Sequence, residues 1–470
     1  MTAPRDPARP AALPGASDTI VAQATPPGRG ALALIRISGP RTFAICSAMA
    51  ARWPRSPRVV TLSALRDANG VLLDRALVTR FDAPDSYTGD DMAELTTHGG
   101  LVVPATVIAS VLERGARLAL PGEFTRRAFL NGKLDLLQAE ATGDLVAATS
   151  RAAQRAALAQ LDGGLTRRVA ALRHDLLGLE ALLAYDIDFP EEDDGPVPLG
   201  QIARSIETVL AGLTSLASTA AAGELVREGA LVVLAGAPNA GKSSLFNALL
   251  GQRRAIVTDI PGTTRDALEA VIDAGRWPLR LVDTAGLREA GDRVEQLGVG
   301  VAREYIERAM IVLACADTPD DLRATAAAIR ATTSAPLILV VTKADLGGFD
   351  PATVGSDATI AGPAGVVVTS AETGAGLGTL IDLVSDVLDR TAGEVNGDTP
   401  ILSRARHRHI VGAALDEVRA FQRALDERSV PISVAAVHLR AAVLGLEDLI
   451  GRVDVEQILD EVFSRFCVGK

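Results

Sequence analysis

Gly236-Ala-Pro-Asn-Ala-Gly-Lys-Ser243 decides how this chain is read. The stretch fits GxxxxGK[ST], follows the apolar run 231–235 and opens the helix-patterned Ser244-Leu-Phe-Asn-Ala-Leu-Leu250. Strand, glycine-rich turn and helix start in that order make a phosphate loop, in which backbone N–H groups wrap phosphates at a positive helix N-terminus. Asn239, Ala240, Gly241, Lys242, Ser243 and Ser244 are therefore expected against a nucleotide. Lys242 would reach the outer phosphates and the Ser243 hydroxyl would ligate Mg²⁺.

Working outward, Asp283-Thr-Ala-Gly286 closes the run 279–282. There a carboxylate can hold Mg²⁺ through water and a glycine N–H can sense the γ-phosphate, so Asp283, Thr284, Ala285 and Gly286 join the expected site. Pro261-Gly-Thr-Thr-Arg-Asp266 supplies a candidate switch, with the Thr264 hydroxyl completing the metal shell. Thr342-Lys-Ala-Asp345 follows the buried run 337–341, and Asp345 can accept two hydrogen bonds from the N1–H and amino group of guanine, which adenine lacks. Ser370-Ala371, after the run 366–368, would close over the base. Four such loops in this order imply a guanine-nucleotide hydrolase. The runs 231–235, 279–282, 311–314, 337–341 and 366–368, separated by helix-length segments, imply a Ras-like doubly wound parallel sheet.

Two departures constrain the chemistry. Ras-like switches place Gln after DxxG to position water, and here Leu287 stands there. The water must be oriented by another group: Arg265, Arg288 and Glu295 are near enough in sequence. The developing charge could equally be met by a bound cation on the amide oxygen of Asn239. Thr342 replaces the usual Asn of the guanine loop, so weaker nucleotide binding is expected, with guanine still chosen by Asp345 through Lys343's loop.

The rest of the chain has a different texture. Residues 1–17 are Pro- and Ala-rich without an apolar signal core, and read as a disordered leader on a cytoplasmic, reduced protein. Residues 18–130 mix short β-like runs (31–37, 75–81) with helical patches, as an α+β domain does. From 134 to about 228 the chain is Ala/Leu/Arg-rich and helically periodic, as in Leu158, Leu161, Leu165, Val169 and Leu172. Its break, Phe189-Pro-Glu-Glu-Asp-Asp-Gly-Pro196, reads as a solvated acidic loop in preference to a metal site. Thr391 to Pro400 reads as a linker, and the helical texture returns after it. The expected architecture is multidomain α/β and α+β: 1–17 leader, 18–130 N-terminal domain, 131–228 and 393–470 two halves of an all-α domain, and 229–392 a nucleotide domain inserted between them.

Composition excludes some classes. Lys+Arg 47 against Asp+Glu 58 gives a net charge of −11 in 470 residues, which argues against a generic polyanion binder. Any nucleic-acid contact must be local or made through a partner. Mean hydropathy is +0.23, yet no apolar run nears the ~20 residues of a spanning helix, so no membrane is expected. Cys46, Cys315 and Cys467 are an odd number without CxxC spacing, supporting neither a disulfide framework nor zinc. Arg404-Ala-Arg-His-Arg-His409 reads as a solvated basic helix start in preference to a metal site, and is a candidate nucleic-acid or partner contact.

Further segments carry a resemblance: Asp18 to Gly30, Leu34-Ile-Arg-Ile-Ser-Gly39, Pro121 to Leu130, Lys133-Leu-Asp-Leu-Leu-Gln-Ala-Glu140, Asp283 to Arg288 and the ending Phe466-Cys-Val-Gly-Lys470. With the phosphate loop, they make the chain resemble the MnmE/TrmE family of tRNA-modification GTPases over nearly its whole length. The resemblance implies an N-terminal folate-binding and dimerisation domain, and a split helical domain carrying the nucleotide domain. It implies K⁺ in place of an arginine finger, held by Asn239, Thr258, Ile260 and Thr263, with Thr258, Thr263 and Thr264 also at the GTP. It places Mg²⁺ on Ser243 and Thr264, with Glu295 aligning the water and Lys242 and Arg288 assisting catalysis. It places 5-formyl- or methylene-tetrahydrofolate on Arg36, Glu94, Lys133 and Lys470, and gives Cys467 a possible part in the modification, a tail-packing thiol being the alternative. The implied partners are a second copy, the FAD-dependent MnmG (GidA) protein in a heterotetramer, and tRNA, whose wobble uridine would gain an aminomethyl or carboxymethylaminomethyl group at carbon 5. The competing readings are a regulatory or ribosome-assembly GTPase, and a one-carbon transferase of the glycine-cleavage type.

Overall fold

The computed structural model describes residues 18–188, 199–252, 268–275, 277–284, 295–347, 362–392, 400–427, 430–451 and 469. The chain divides into two compact units: Met1–Gly143 with Gln160–His174 and Val443–Lys470, and Asp144–Ala159 with Asp175–Ala442.

The first unit is built on β1 (Ile20–Gln23), β2 (Leu32–Ser38), α1 (Thr42–Met49), β3 (Thr61–Arg66), β4 (Leu72–Phe81), β5 (Met92–His98), α2 (Val103–Glu113), β6 (Arg117–Leu118), α3 (Glu123–Leu130) and α4 (Leu136–Ala147, all but its end). Its sheet runs β3-β4-β5-β2-β1-β6, antiparallel except for the parallel β1–β6 pair. Strand alternation assigns the faces. Val21, Ile35, Ile37, Ala93 and Leu95 pack with Ile45, Met49, Val107 and Val111 of the two helices. Arg36 and Glu94 therefore point to the opposite face, where Ile20 and Ala22 meet Phe124. Glu123 anchors α3: burial pushes its pKa up, but hydrogen bonds from Arg117, the Leu120 N–H and Arg127 outweigh that and hold it below the ordinary range.

Helices α5 (Arg151–Leu161), α6 (Gly164–Asp188), α7 (Leu199–Ala217) and α8 (Ala220–Glu228) follow. The periodic run from Leu158 to Val169 spans two of them, because Gly163 takes φ +78 and ends α5; Leu158 is exposed, whereas Leu165 and Val169 are buried.

In the second unit, β7 (Ala230–Ala235), α9 (Lys242–Gln252), β8 (Leu268–Asp273), β9 (Pro278–Asp283), α10 (Glu295–Arg308), β10 (Ile311–Ala316), α11 (Pro319–Arg330), β11 (Leu337–Val341), β12 (Gly365–Val368) and α12 (Leu377–Ala392) form the α/β body. The sheet order is β12-β11-β10-β7-β9-β8. β10 and β11 are buried along their whole length, as central parallel strands flanked on both faces must be. One strand departs from the expected all-parallel sheet: β8 is an antiparallel edge strand where the sequence suggested a helix-length segment. Glu269 and Asp273 interrupt its apolar residues, and the cross-strand pair Arg280–Glu269 at 2.8 Å stabilises it on the sheet.

Helices α13 (Ala405–Glu427) and α14 (Ile432–Leu449) follow. α7 packs along α13, and Ile202, Ile206, Val209 and Leu213 of the first and Val411, Leu415, Val418 and Phe421 of the second are all buried. The stretch Gly200–Glu228 is by length and composition apolar enough to cross a membrane, but Arg204 and Glu207 interrupt it and its Ile202, Ile206, Val209 and Leu213 are buried within the protein. The start of α13 corrects the solvated reading of Arg404–His409: His407 is fully buried, Arg404 pairs with Asp144 at 2.8 Å and Arg408 with Glu224 at 2.8 Å. Asp144 also accepts from Arg227 at 3.1 Å, and Gly223 leaves no room for a Cβ beside the Leu402 carbonyl, so the chain running into β7 and the chain leaving α12 lie side by side.

Candidate functional site

The phosphate loop connects β7 to α9 at the carboxyl end of the parallel sheet, where open α/β sheets bind ligands. Its geometry depends on glycine: a Cβ on Gly236 would lie 2.2 Å from the Cys315 carbonyl oxygen, and Gly241 takes φ +79. Asn239 takes φ +63 at the exposed loop tip, a conformation Asn tolerates better than most residues. Lys242 is buried and donates to the loop's own carbonyls, Gly236 O at 3.0 Å and Ala237 O at 2.8 Å. This holds the ammonium inside the concavity where outer phosphates would sit. Ser243 donates to Asp283 Oδ2 at 2.6 Å. A hydroxyl and a carboxylate at hydrogen-bond distance are hard oxygen donors, the set that suits Mg²⁺. Ser244 is exposed in the first turn of α9. Thr284 turns away from the loop and donates its hydroxyl to Leu234 O at 2.8 Å, so its side chain fastens β9 to β7.

The guanine loop sits beside it. Thr342 is buried and donates to Ala240 O at 2.8 Å, tying this loop to the phosphate loop. Lys343 takes φ +57 and its ammonium donates to Asp317 Oδ2 at 2.6 Å. The Lys343 hydrogen bond holds the Asp317 carboxyl below its ordinary range. Sequence reasoning missed Asp317; its signal was the position just past β10, the strand beside β11. Ser370 donates to Asp345 Oδ1 at 2.6 Å, orienting the carboxylate expected to read the base, and Ala371 follows it in the turn. Glu295 opens α10. Thr258, Ile260, Thr263, Thr264, Arg265, Ala285, Gly286, Leu287, Arg288, Cys467 and Lys470, like the leader, the acidic loop and most of the linker, lie outside the described residues. Burial pushes the thiols of Cys46 and Cys315 up to about 12, so neither supplies a thiolate.

A second site lies on the open face of the N-terminal sheet. Arg36 and Glu94 are directly opposed in the β2–β5 register, and the guanidinium donates to Glu94 Oε1 at 3.1 Å and 2.8 Å. The guanidinium also lies 5.4 Å from the Tyr87 ring centroid and 5.8 Å from that of Phe124. A cavity of about 350 Å³ opens there, and Arg36, Glu94 and Lys133 all line it. Three residues far apart in sequence thus share one pocket. Gly469 lies close against the Gln23 carbonyl of β1, the strand that pairs with β2 and its Arg36.

Two family models match the chain: "MnmE helical domain" over residues 136–467 and "GTP-binding protein TrmE N-terminus" over residues 19–133. The tRNA modification GTPase MnmE of Azoarcus sp. (strain BH72) is 41% identical over 97% of this chain and 99% of its own length. The chain belongs to the MnmE family of tRNA modification GTPases. The MnmE of Methylobacterium radiotolerans is 42% identical over 97% of this chain and 99% of its own. Among solved structures, the G domain of the T. maritima FeoB iron transporter is 30% identical, covering 34% of this chain and 98% of that one with a TM-score of 0.27. As a member of the MnmE family, the chain is a GTP-hydrolysing enzyme.

Proposed function

We propose that this chain couples Mg²⁺- and K⁺-dependent GTP hydrolysis to modification of the wobble uridine of certain tRNAs at carbon 5, in the cytoplasm, with a reduced folate as one-carbon donor. The observation that carries the reading is the phosphate loop locked to the guanine loop through Thr342, in a chain 41% identical along 97% of its length to a tRNA modification GTPase.

Ser243 and Thr264 would hold Mg²⁺, with Asp283 behind Ser243. Asn239, Thr258, Ile260 and Thr263 would hold K⁺; the left-handed Asn239 fits that role because its side chain is exposed at the loop tip. K⁺ there supplies positive charge where negative charge develops, a contribution worth several kcal/mol when it is pre-positioned. Lys242 holds the outer phosphates, Glu295 aligns the water that Leu287 cannot, and Arg288 assists. In the N-terminal cavity, Glu94 and Arg36 would bind the donor–acceptor edge of the folate's pterin head, and Lys133 and Lys470 the carboxylates of its glutamyl tail. Cys467 would serve the modification step. The domain division is the one read from sequence, with 229–392 inserted into the helical domain; the shared Asp144 clamp on Arg227 and Arg404 supports it. A homodimer is supported by the exposed, register-paired Leu62 and Leu77 on the outer strands. The FAD-dependent MnmG (GidA) protein completes a heterotetramer that receives tRNA.

GTP turnover measured in matched K⁺ and Na⁺ buffers tests the mechanism. K⁺ should exceed Na⁺ by on the order of tenfold or more, with Rb⁺ substituting in part. Equal rates would remove the cation from Asn239 and leave a K⁺-independent hydrolase.

A further inference from the structure

We propose that Arg58 is a specificity-determining residue of the N-terminal cavity, and that with Lys133 it selects ligands carrying an anionic tail. The inference rests on the folate reading above and names the part of the ligand that Arg58 would read.

The cavity is chemically polarised. At its inner end the Arg36 and Glu94 charges neutralise each other beside the Tyr87 and Phe124 rings, a surface that suits a flat head with donors and acceptors. Its rim is cationic. Arg58 donates to Asp85 O at 2.8 Å and Lys133 donates to Pro84 O at 3.0 Å, so two cations hang from consecutive carbonyls of one loop. Both side chains are exposed, and neither has a carboxylate partner among the described residues. Asp85 shares the rim and leaves the two cations in excess.

The backbone adds an independent observation. Arg58 takes φ +63, an uncommon conformation for a residue with a Cβ, and its N–H donates to Arg80 O at 2.8 Å beside the cavity residue Phe81. Strained backbone retained at a pocket rim points to a side chain that must be aimed. A guanidinium fork is the group best shaped to pair with a carboxylate in two-point fashion. Among reduced folates, the glutamyl moiety is the part that offers such carboxylates.

The test compares equilibrium binding of 5-formyl-tetrahydrofolate and of the primary amide of 5-formyl-tetrahydropteroate, which lacks the glutamate and carries no carboxylate, to the full-length protein. Wild type should prefer the glutamylated compound by about tenfold, the scale of two partly solvated ion pairs. R58G removes the fork while accepting the left-handed backbone, so the loop keeps its shape. It should lower the preference to under about threefold and leave affinity for the tail-less compound unchanged, with R58K intermediate. If R58G keeps the wild-type preference, or weakens both compounds equally, Arg58 does not read the tail and the proposal is overturned while folate binding stands. If wild type binds neither compound, the folate reading itself fails and the Arg58 assignment goes with it.

Discussion

The two sheets of this molecule build their sites by opposite means. In the parallel sheet, the site is a set of loops at strand ends, and much of its chemistry is backbone: turn glycines, N–H groups and the carbonyls that hold Lys242. In the antiparallel sheet, the site is a patch on one face, made of side chains from β2, β5, the loop before β5 and the segment after α3. Backbone sites need particular residues at consecutive positions, because the loop must turn and approach a ligand closely. Face sites need only the correct strand parity and register, so their residues scatter along the chain.

The largest effect should separate the two sites outright. Lys242→Ala removes the only lysine the phosphate loop offers to its concavity, and GTP turnover should fall by on the order of 100-fold or more in a phosphate-release assay. Reduced-folate binding should be unchanged; joint loss would mean that the sites are one coupled unit. Next comes Glu94→Gln, which leaves Arg36 facing an amide in place of its ion-pair partner. Formyl-folate affinity measured by calorimetry should drop by on the order of tenfold, with GTP turnover intact, and unchanged affinity would make the pair merely structural. The smallest effect is expected at the guanine loop. Thr342→Asn should tighten GDP by a few-fold only, because the Thr342 hydroxyl already makes the tie to Ala240 O. A dissociation constant equal to wild type would show that the threonine does all that the usual Asn does.

Much of the nucleotide site was legible because its motif is local. Residues 231–243 carry strand, turn and helix start in consecutive positions, and the loops at 283 and 342–345 each follow an apolar strand. Its supporting contacts were not legible: Asp317 under Lys343, and Ser370 bonded to Asp345, join loops that no short sequence window contains. The edge strand β8 was missed because Glu and Asp dilute its apolar pattern, and pairing with β9 decides its state. The basic segment 404–409 looked solvated because charge in a sequence carries no information about partners, and its partners Asp144 and Glu224 lie far upstream.

In the N-terminal cavity, Arg36, Glu94 and Lys133 emerged from the residues' likeness to a family, whereas Arg58 and Tyr87 had no sequence signal at all. Short-range patterning and composition were enough for the phosphate loop, the five parallel strands of its domain and the acidic balance. Only the tertiary structure decided that Arg36 stands opposite Glu94, that Arg58 and Lys133 share a rim, and that Asp144 clamps both ends of the nucleotide-binding segment. Those pairings are set by register and by packing between distant segments, and neither is written in any local stretch of the chain.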